Sequence, residues 1–249
     1  MRDYILFIDS GIGGLSTLAA AINQNKTNYI YFADNLYAPY GNKSETFLRN
    51  RLKIIIENLR KNYNISMVVL ACNTATTTSI DFLREKFRNI IFIGTEPATK
   101  LAHDNCFLNP AIIATPQTIN HLKHKNFQHL SLPCKTLASL IENHFLVDSY
   151  YNRFKLAQVL CLINNKTKYC DCVILGCTHY SLINKYVSKI TTKPVLDGNR
   201  GVANRVCSLC NNFSKLCSVK IILSNKNKVL KQKYKKILNQ ILANRINLC

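Results

Sequence analysis

Two short cysteine segments constrain this chain more than any other feature. Ala71-Cys72-Asn73-Thr74 follows the aliphatic run Met67-Val68-Val69-Leu70, and Gly176-Cys177-Thr178-His179 follows Cys172-Val173-Ile174-Leu175. A stretch able to start a helix comes after each. A strand, a polar turn and a helix, made twice, are the building units of parallel α/β sheets, whose ligands bind at the carboxyl ends of strands beside helix N-termini. A thiol in that position is presented to the ligand, and the positive end of the helix favours its thiolate. Two thiols from two similar halves can face one small molecule from opposite sides. That is what moving a proton from one face of a carbon to the other requires.

The same alternation runs through the rest of the chain. Strands are predicted at 4–8, 29–32, 67–70, 90–93, 111–114, 129–132, 172–175, 195–196 and 219–223. Between them helices are predicted at 15–23, at 44–63 with Ser44 as its cap, from Pro97, near Pro116, at 135–144 and 150–163, and from Ser181. A last basic helix carries Val229, Leu230, Tyr234, Ile237, Leu238, Ile241 and Leu242 on one face. The expected fold class is α/β, with mainly parallel sheets flanked by helices on both faces. The pattern restarts after residue 96.

Composition excludes some classes. The chain has 249 residues, 47% hydrophobic and 18% charged, which is globular and long enough for a sizeable core. No apolar run approaches the roughly 18 residues of a membrane span. Met1-Arg2-Asp3-Tyr4 runs almost directly into a strand and leaves no room for a signal peptide, so a soluble, cytoplasmic protein is expected, with no membrane partner. Eleven cysteines, an odd number, are then expected to be reduced thiols. Cys170-x-Cys172 and Cys207-x-x-Cys210, with Cys217 beyond, offer only one Cys-x-x-Cys pair, short of a structural zinc set, and no metal is expected. Cys106, Cys161, Cys170, Cys172 and Cys207 read as small buried hydrophobes.

The net charge of +20 raises the rival class, a basic nucleic-acid-binding protein. Much of that charge is lysine dispersed along helices, as in residues 226–236, amid abundant Asn and Ile, the background that an AT-rich coding sequence leaves in any protein. No RNA-binding sheet signature, zinc finger or basic zipper is present. No dedicated nucleic-acid partner is expected.

Two loops adjoin the strand ends. Asp9-Ser10-Gly11-Ile12-Gly13-Gly14 is no dinucleotide fingerprint, because Ser16 stands where the third Gly belongs, and no phosphate loop, because no Lys-Ser/Thr follows. It is a turn whose free N–H groups can hold a carboxylate, with Asp9 at the strand's end. Residues 34–44 form a loop entering a capped helix. His179 is placed to tune the Cys177 thiol, as Asp9 is for Cys72.

These segments together resemble the glutamate racemase family. Residues 7–15 are similar to its Asp-Ser-Gly turn, residues 34–44 to its Pro-Tyr-Gly loop, and residues 71–75 and 176–180 to its two cysteine motifs. Gly94-Thr-Glu-Pro-Ala98 and Ala114-Thr-Pro-Gln-Thr118 echo weaker ones. The resemblance implies cofactor-independent interconversion of L- and D-glutamate, supplying D-glutamate for peptidoglycan. It implies Cys72 and Cys177 as the acid/base pair, supported by Asp9 and His179. It implies a glutamate site lined by Asp9, Ser10, Tyr40, Gly41, Asn73, Thr74, Thr178 and His179, with Asp34, Glu142 and Thr118 as further supporting positions. It also implies two similar α/β domains with the active site in the cleft between them, residues 208–249 returning to the first domain, giving 1–96 plus 208–249 and 97–207. Free glutamate is the expected partner, and the oligomeric state stays open between a monomer and a homodimer. Asn35, Gln117, Lys135 and Ser181 depart from the family pattern without removing a catalytic group. Aspartate racemases share the paired cysteines but typically carry Glu where His179 stands; a racemase of aspartate or another amino acid is the nearer alternative.

Overall fold

A computed structural model describes residues 3–122, 127–147, 149–210 and 217–244. It contains two parallel sheets, each built from buried aliphatic strands with helices packed over both faces. The strands are β1 (Asp3–Asp9), β2 (Asn28–Ala33), β3 (Asn64–Leu70), β4 (Ile91–Gly94), β5 (Pro110–Ala114), β6 (Leu130–Pro133), β7 (Cys172–Gly176), β8 (Val195–Asp197) and β9 (Ser218–Leu223). The first sheet has the order β4-β3-β1-β2-β9 and the second β6-β5-β7-β8, and every pairing is parallel. Leu6, Phe7 and Ile8 of β1 are all fully buried, as a parallel strand covered on both faces demands.

The helices are α1 (Gly14–Gln24), α2 (Glu45–Arg60), α3 (Asn73–Lys86), α4 (Thr99–Asp104), α5 (Pro116–Leu122), α6 (Leu137–Val147), α7 (Tyr150–Lys166), α8 (Thr178–Ser181), α9 (Asn184–Thr191), α10 (Asn199–Leu209) and α11 (Lys228–Leu242). Ser44 caps α2 as its sequence predicts, accepting from the Phe47 N–H at 3.2 Å. Leu48, Leu52, Ile55, Ile56 and Leu59 form the buried face of that helix. The last strand, β9, joins β2 at the edge of the first sheet, and α11 follows it with Tyr234, Ile237 and Leu238 buried. One continuous apolar cluster, running from Phe7 and Leu15 through Ile113 and Leu175 to Tyr234, ties both sheets together. No helix among the described residues is long and apolar enough to cross a membrane.

Several expectations are corrected. Pro97 does not open a helix: its carbonyl accepts from the Thr99 N–H in a tight turn, and α4 starts two residues later. Ser181 closes the one-turn helix α8 instead of starting a helix, and the longer α9 begins at Asn184. The sequence reading overlooks α10, whose polar composition hides the buried stripe Val202, Ala203 and Val206; Thr17 of α1 donates to Asn199 at its start (2.7 Å). Of the five cysteines read as buried hydrophobes only Cys172 is buried. Cys106 and Cys161 are exposed and Cys170 and Cys207 half-buried, because they lie on turns and on the outer flanks of helices.

Candidate active site

The two cysteines occupy equivalent places. Cys72 ends β3 and is the cap residue of α3; Cys177 ends β7 and is the cap residue of α8. Both have extended backbones, with φ near −150°, so each chain turns from strand to helix at the thiol itself. They are 6% and 7% exposed, nearly shut off from water. The two groups are close enough that charge on Cys177 is felt at Cys72.

Asp9, at the end of β1, joins the halves. Its Oδ1 accepts from the Gly11 N–H at 2.7 Å and its Oδ2 from the Thr178 hydroxyl at 3.0 Å. Burial pushes its carboxyl up to about 6, against the opposing pull of His179. Glu142, from α6, completes the group. Its Oε2 accepts from His179 Nε2 at 2.5 Å and from the Ile12 N–H at 3.0 Å. The turn after β1 therefore does hold carboxylates, as its free N–H groups suggest, but here they are the protein's own. A Cβ at Gly11 would collide with Glu142 and one at Gly13 with His179, so this close approach depends on bare backbone.

The electrostatics act on Cys72 and on His179. Burial first, and then the charge of Asp9, raise Cys72 well above the ordinary thiol range, and the N–H groups of Ala75 and Thr74 offset this only in part. The helix end does not win at Cys72, contrary to the sequence expectation, because desolvation of a buried thiolate outweighs a few amide dipoles. His179 is pulled the other way. Burial favours its neutral ring, but hydrogen bonds to Cys177 and Glu142 and the charges of Glu142 and Asp9 raise it well above the usual imidazole value. Burial and Asp9 thus favour the thiol form of Cys72, while Cys177 lies hydrogen-bonded to a His179 ring whose cationic form is favoured.

A second group frames the cleft. Asp34 is fully buried and takes both Nε and Nη2 of Arg51 in a two-pronged pair (2.8 and 2.7 Å). Its Oδ2 also accepts from the Tyr40 hydroxyl at 2.9 Å, which pins the Tyr40-Gly41 turn; Gly41 lies against Thr115. Asn73 donates to the Thr95 carbonyl at 3.1 Å. Thr74, Thr115 and Thr118 share a chain of hydroxyl contacts, each 3.1 Å. Ser10 is buried beside Asp9. At the mouth Gln117 donates to the Lys43 carbonyl at 2.6 Å, linking α5 to the loop before α2. A cavity of about 330 Å³, lined in part by Pro39, Ser139, Glu142, His179 and Leu230, opens beside the imidazole.

Apart from Asn73, which donates to the Thr95 carbonyl, and Ser10, which is buried next to Asp9 in the chain, the residues predicted for the site fall in one of these two groups or in the threonine chain. Sequence reasoning missed Arg51, Thr115, Tyr31 and Tyr234. Arg51 carries no local signal beyond being a cation on a helix that follows an acidic loop. Tyr234 reads from its helical spacing as plain core.

Known proteins resemble this chain in sequence and in fold. No protein-family model matches the chain. A glutamate racemase of Clostridium botulinum is 36% identical over 250 residues, 93% of this chain and 95% of its own length. One of Clostridium acetobutylicum is 40% identical over 210 residues, 78% of each protein. Among solved structures, a glutamate racemase isoform of Bacillus anthracis superposes with a TM-score of 0.78 at 25% identity, covering 97% of this chain and 94% of its own. The Francisella tularensis glutamate racemase, solved with D-glutamate, gives 0.74 at 25% identity over 99% of this chain and 95% of its own.

Proposed function

The chain belongs to the glutamate racemase family, and from that premise we propose that it interconverts L- and D-glutamate by passing the α-proton between Cys177 and Cys72. The observation that carries this reading is the placement of both thiols at the carboxyl ends of β3 and β7, bridged by the Thr178–Asp9 hydrogen bond.

In the L-to-D direction the Cys177 thiolate, paired with the His179 imidazolium, removes the α-proton. The Cys72 thiol, held protonated by burial and by Asp9, delivers its proton to the opposite face. The turnover leaves Cys177 as thiol and Cys72 as thiolate, the state that accepts D-glutamate. Return to the first state moves one proton through solvent. The carbanion between the two transfers gains its stabilisation from N–H and hydroxyl groups around the α-carboxylate in a nearly dry cleft. Ser10, Tyr40, Gly41, Asn73, Thr74, Thr178 and His179 supply those contacts, and no pyridoxal or metal is required. Thr118 braces Thr74 through Thr115, Asp34 braces Tyr40, and Glu142 braces His179. Residues 1–96 with 208–249 form one half of the enzyme and 97–207 the other. Its product, D-glutamate, serves peptidoglycan synthesis in the cytoplasm.

The test is circular dichroism of purified protein with each glutamate enantiomer and no added cofactor. Wild type should racemise both and act poorly on aspartate, whereas Cys72→Ala and Cys177→Ala, correctly folded, should not racemise. Near-wild-type racemisation by either variant would end the two-thiol reading, and activity on aspartate alone would end the substrate reading.

A further inference from the structure

Three donors share the Glu142 carboxylate. His179 Nε2 and the Ile12 N–H hold Oε2 from the side of the cleft. The third comes from behind: the Tyr234 hydroxyl, on α11, donates to Oε1 at 3.2 Å. Tyr234 is fully buried and belongs to none of the sequence motifs. Its ring packs against Tyr31 with centroids 6.4 Å apart, and the Tyr31 hydroxyl donates to the Gly11 carbonyl at 2.6 Å. The turn after β1, Glu142 and the last helix are therefore one connected unit.

A carboxylate on a helix side chain turns freely about its terminal bonds unless both oxygens are held. Glu142 needs Oε2 aimed at His179, and a poorly solvated Oε1 left without a donor would draw the group away toward another partner. Burial, with the charges of Glu142 and Asp9, lifts the Tyr234 phenol far above its ordinary value, so it remains a donor throughout the working pH range. The groups facing His179 are Cys177, Glu142 and Asp9. Only the first two share its hydrogen bonds, and only Glu142 is anchored from α11.

We propose that Tyr234 is a positioning residue of the racemisation, holding Glu142 in the rotamer that keeps His179 against Cys177. The inference rests on the two-thiol reading. It acts chiefly on one thiol, because the hydrogen bonds of Glu142 run to His179, the partner of Cys177, whereas Cys72 is tuned first by burial, Asp9 and the amides of α3.

The experiment is Tyr234→Phe, which keeps the buried ring and removes one hydroxyl, with folding checked by circular dichroism. Free L- and D-glutamate have equal free energies, so kcat/KM must stay equal in the two directions for any variant. The asymmetry is therefore read from isotope effects. Expected is a fall in kcat/KM of about tenfold, the scale of a lost hydrogen bond to a charged group. The primary effect with L-[2-²H]glutamate should rise, as the Cys177 step becomes more limiting, and that with D-[2-²H]glutamate should shrink. In a Glu142→Gln background the same substitution should cost little more, since its route is already broken. Wild-type kcat/KM, isotope effects moving together, or full additivity with Glu142→Gln would each overturn the proposal. Should Tyr234→Phe not fold, Tyr234→His, which retains a ring and a donor, replaces it, and restoration of the wild-type isotope pattern is then the expected result and its absence the overturning one. Failure of the two-thiol reading is recognised separately, by racemisation in Cys177→Ala.

Discussion

Thr178 donates its hydroxyl hydrogen to Asp9 across 3.0 Å although 169 positions separate them in the chain. That bond closes the second cysteine motif onto the first glycine-rich turn. It gives the buried carboxylate one of its two donors, the Gly11 N–H being the other.

Asp9 should weaken the fold at neutral pH. Its carboxyl is pushed up to about 6 in the folded protein, chiefly by burial, against 3.8 for an ordinary solvated aspartate. The folded state then binds more protons than the unfolded between those values. Stability from this group is fully present below the lower value and lost as pH rises through the upper, a difference of about 3 kcal/mol. In urea unfolding at pH 4 and pH 8, Asp9→Asn should lose less stability over that interval than wild type, by about this amount, while racemising at least a hundredfold more slowly. The same pH dependence in both proteins would refute the assignment.

Glu142 should set the alkaline limb of the rate profile. With Glu142 present, its hydrogen bond and charge help hold His179 protonated well above the ordinary imidazole value. Without the carboxylate the desolvation that opposes the cation gains weight, so the imidazolium is lost at lower pH as pH rises. In Glu142→Gln the alkaline limb of kcat/KM should move down by about one pH unit or more, as free-enzyme profiles report such groups. An unmoved limb, in a regime where chemistry is rate-limiting, would separate Glu142 from the titration.

Arg51 should matter more than its place on a helix suggests. Among the described residues it is the sole cation paired with the fully buried Asp34, and it also stacks over the Tyr37 ring with 4.5 Å to the centroid. Arg51→Ala leaves a buried carboxylate with only the Tyr40 hydroxyl and should cost about 3 kcal/mol in chemical denaturation. Arg51→Lys keeps the charge but cannot make two parallel bonds, and should cost about 1 kcal/mol. Because Asp34 pins Tyr40, KM should rise in both variants. Unchanged stability and KM in Arg51→Ala would show that the pair is dispensable.

Much of this protein follows from sequence alone. Aliphatic runs of four to seven residues, broken by polar turns and amphipathic stretches, can bury themselves only as parallel strands between helices, and the repeat of strand and cysteine fixes where both thiols stand. Those are local facts, set by spacing and side-chain type. The helix α10 was not legible, since its buried stripe is three small residues within a polar segment and forms only when α1 is there to receive it. Nor were Arg51 and Tyr234. Each lies on a helix face whose meaning depends on which carboxylate the fold brings opposite, Asp34 in one case and Glu142 in the other. The protonation of Cys72 belongs to the same class. A cap position by itself favours thiolate, and only the assembled cleft, by removing water from Cys72 and setting Asp9 beside it, reverses that preference. Sequence determined which chemical groups are present and at which strand ends; the tertiary structure decided their charges, because burial and long-range neighbours exist only in the folded chain.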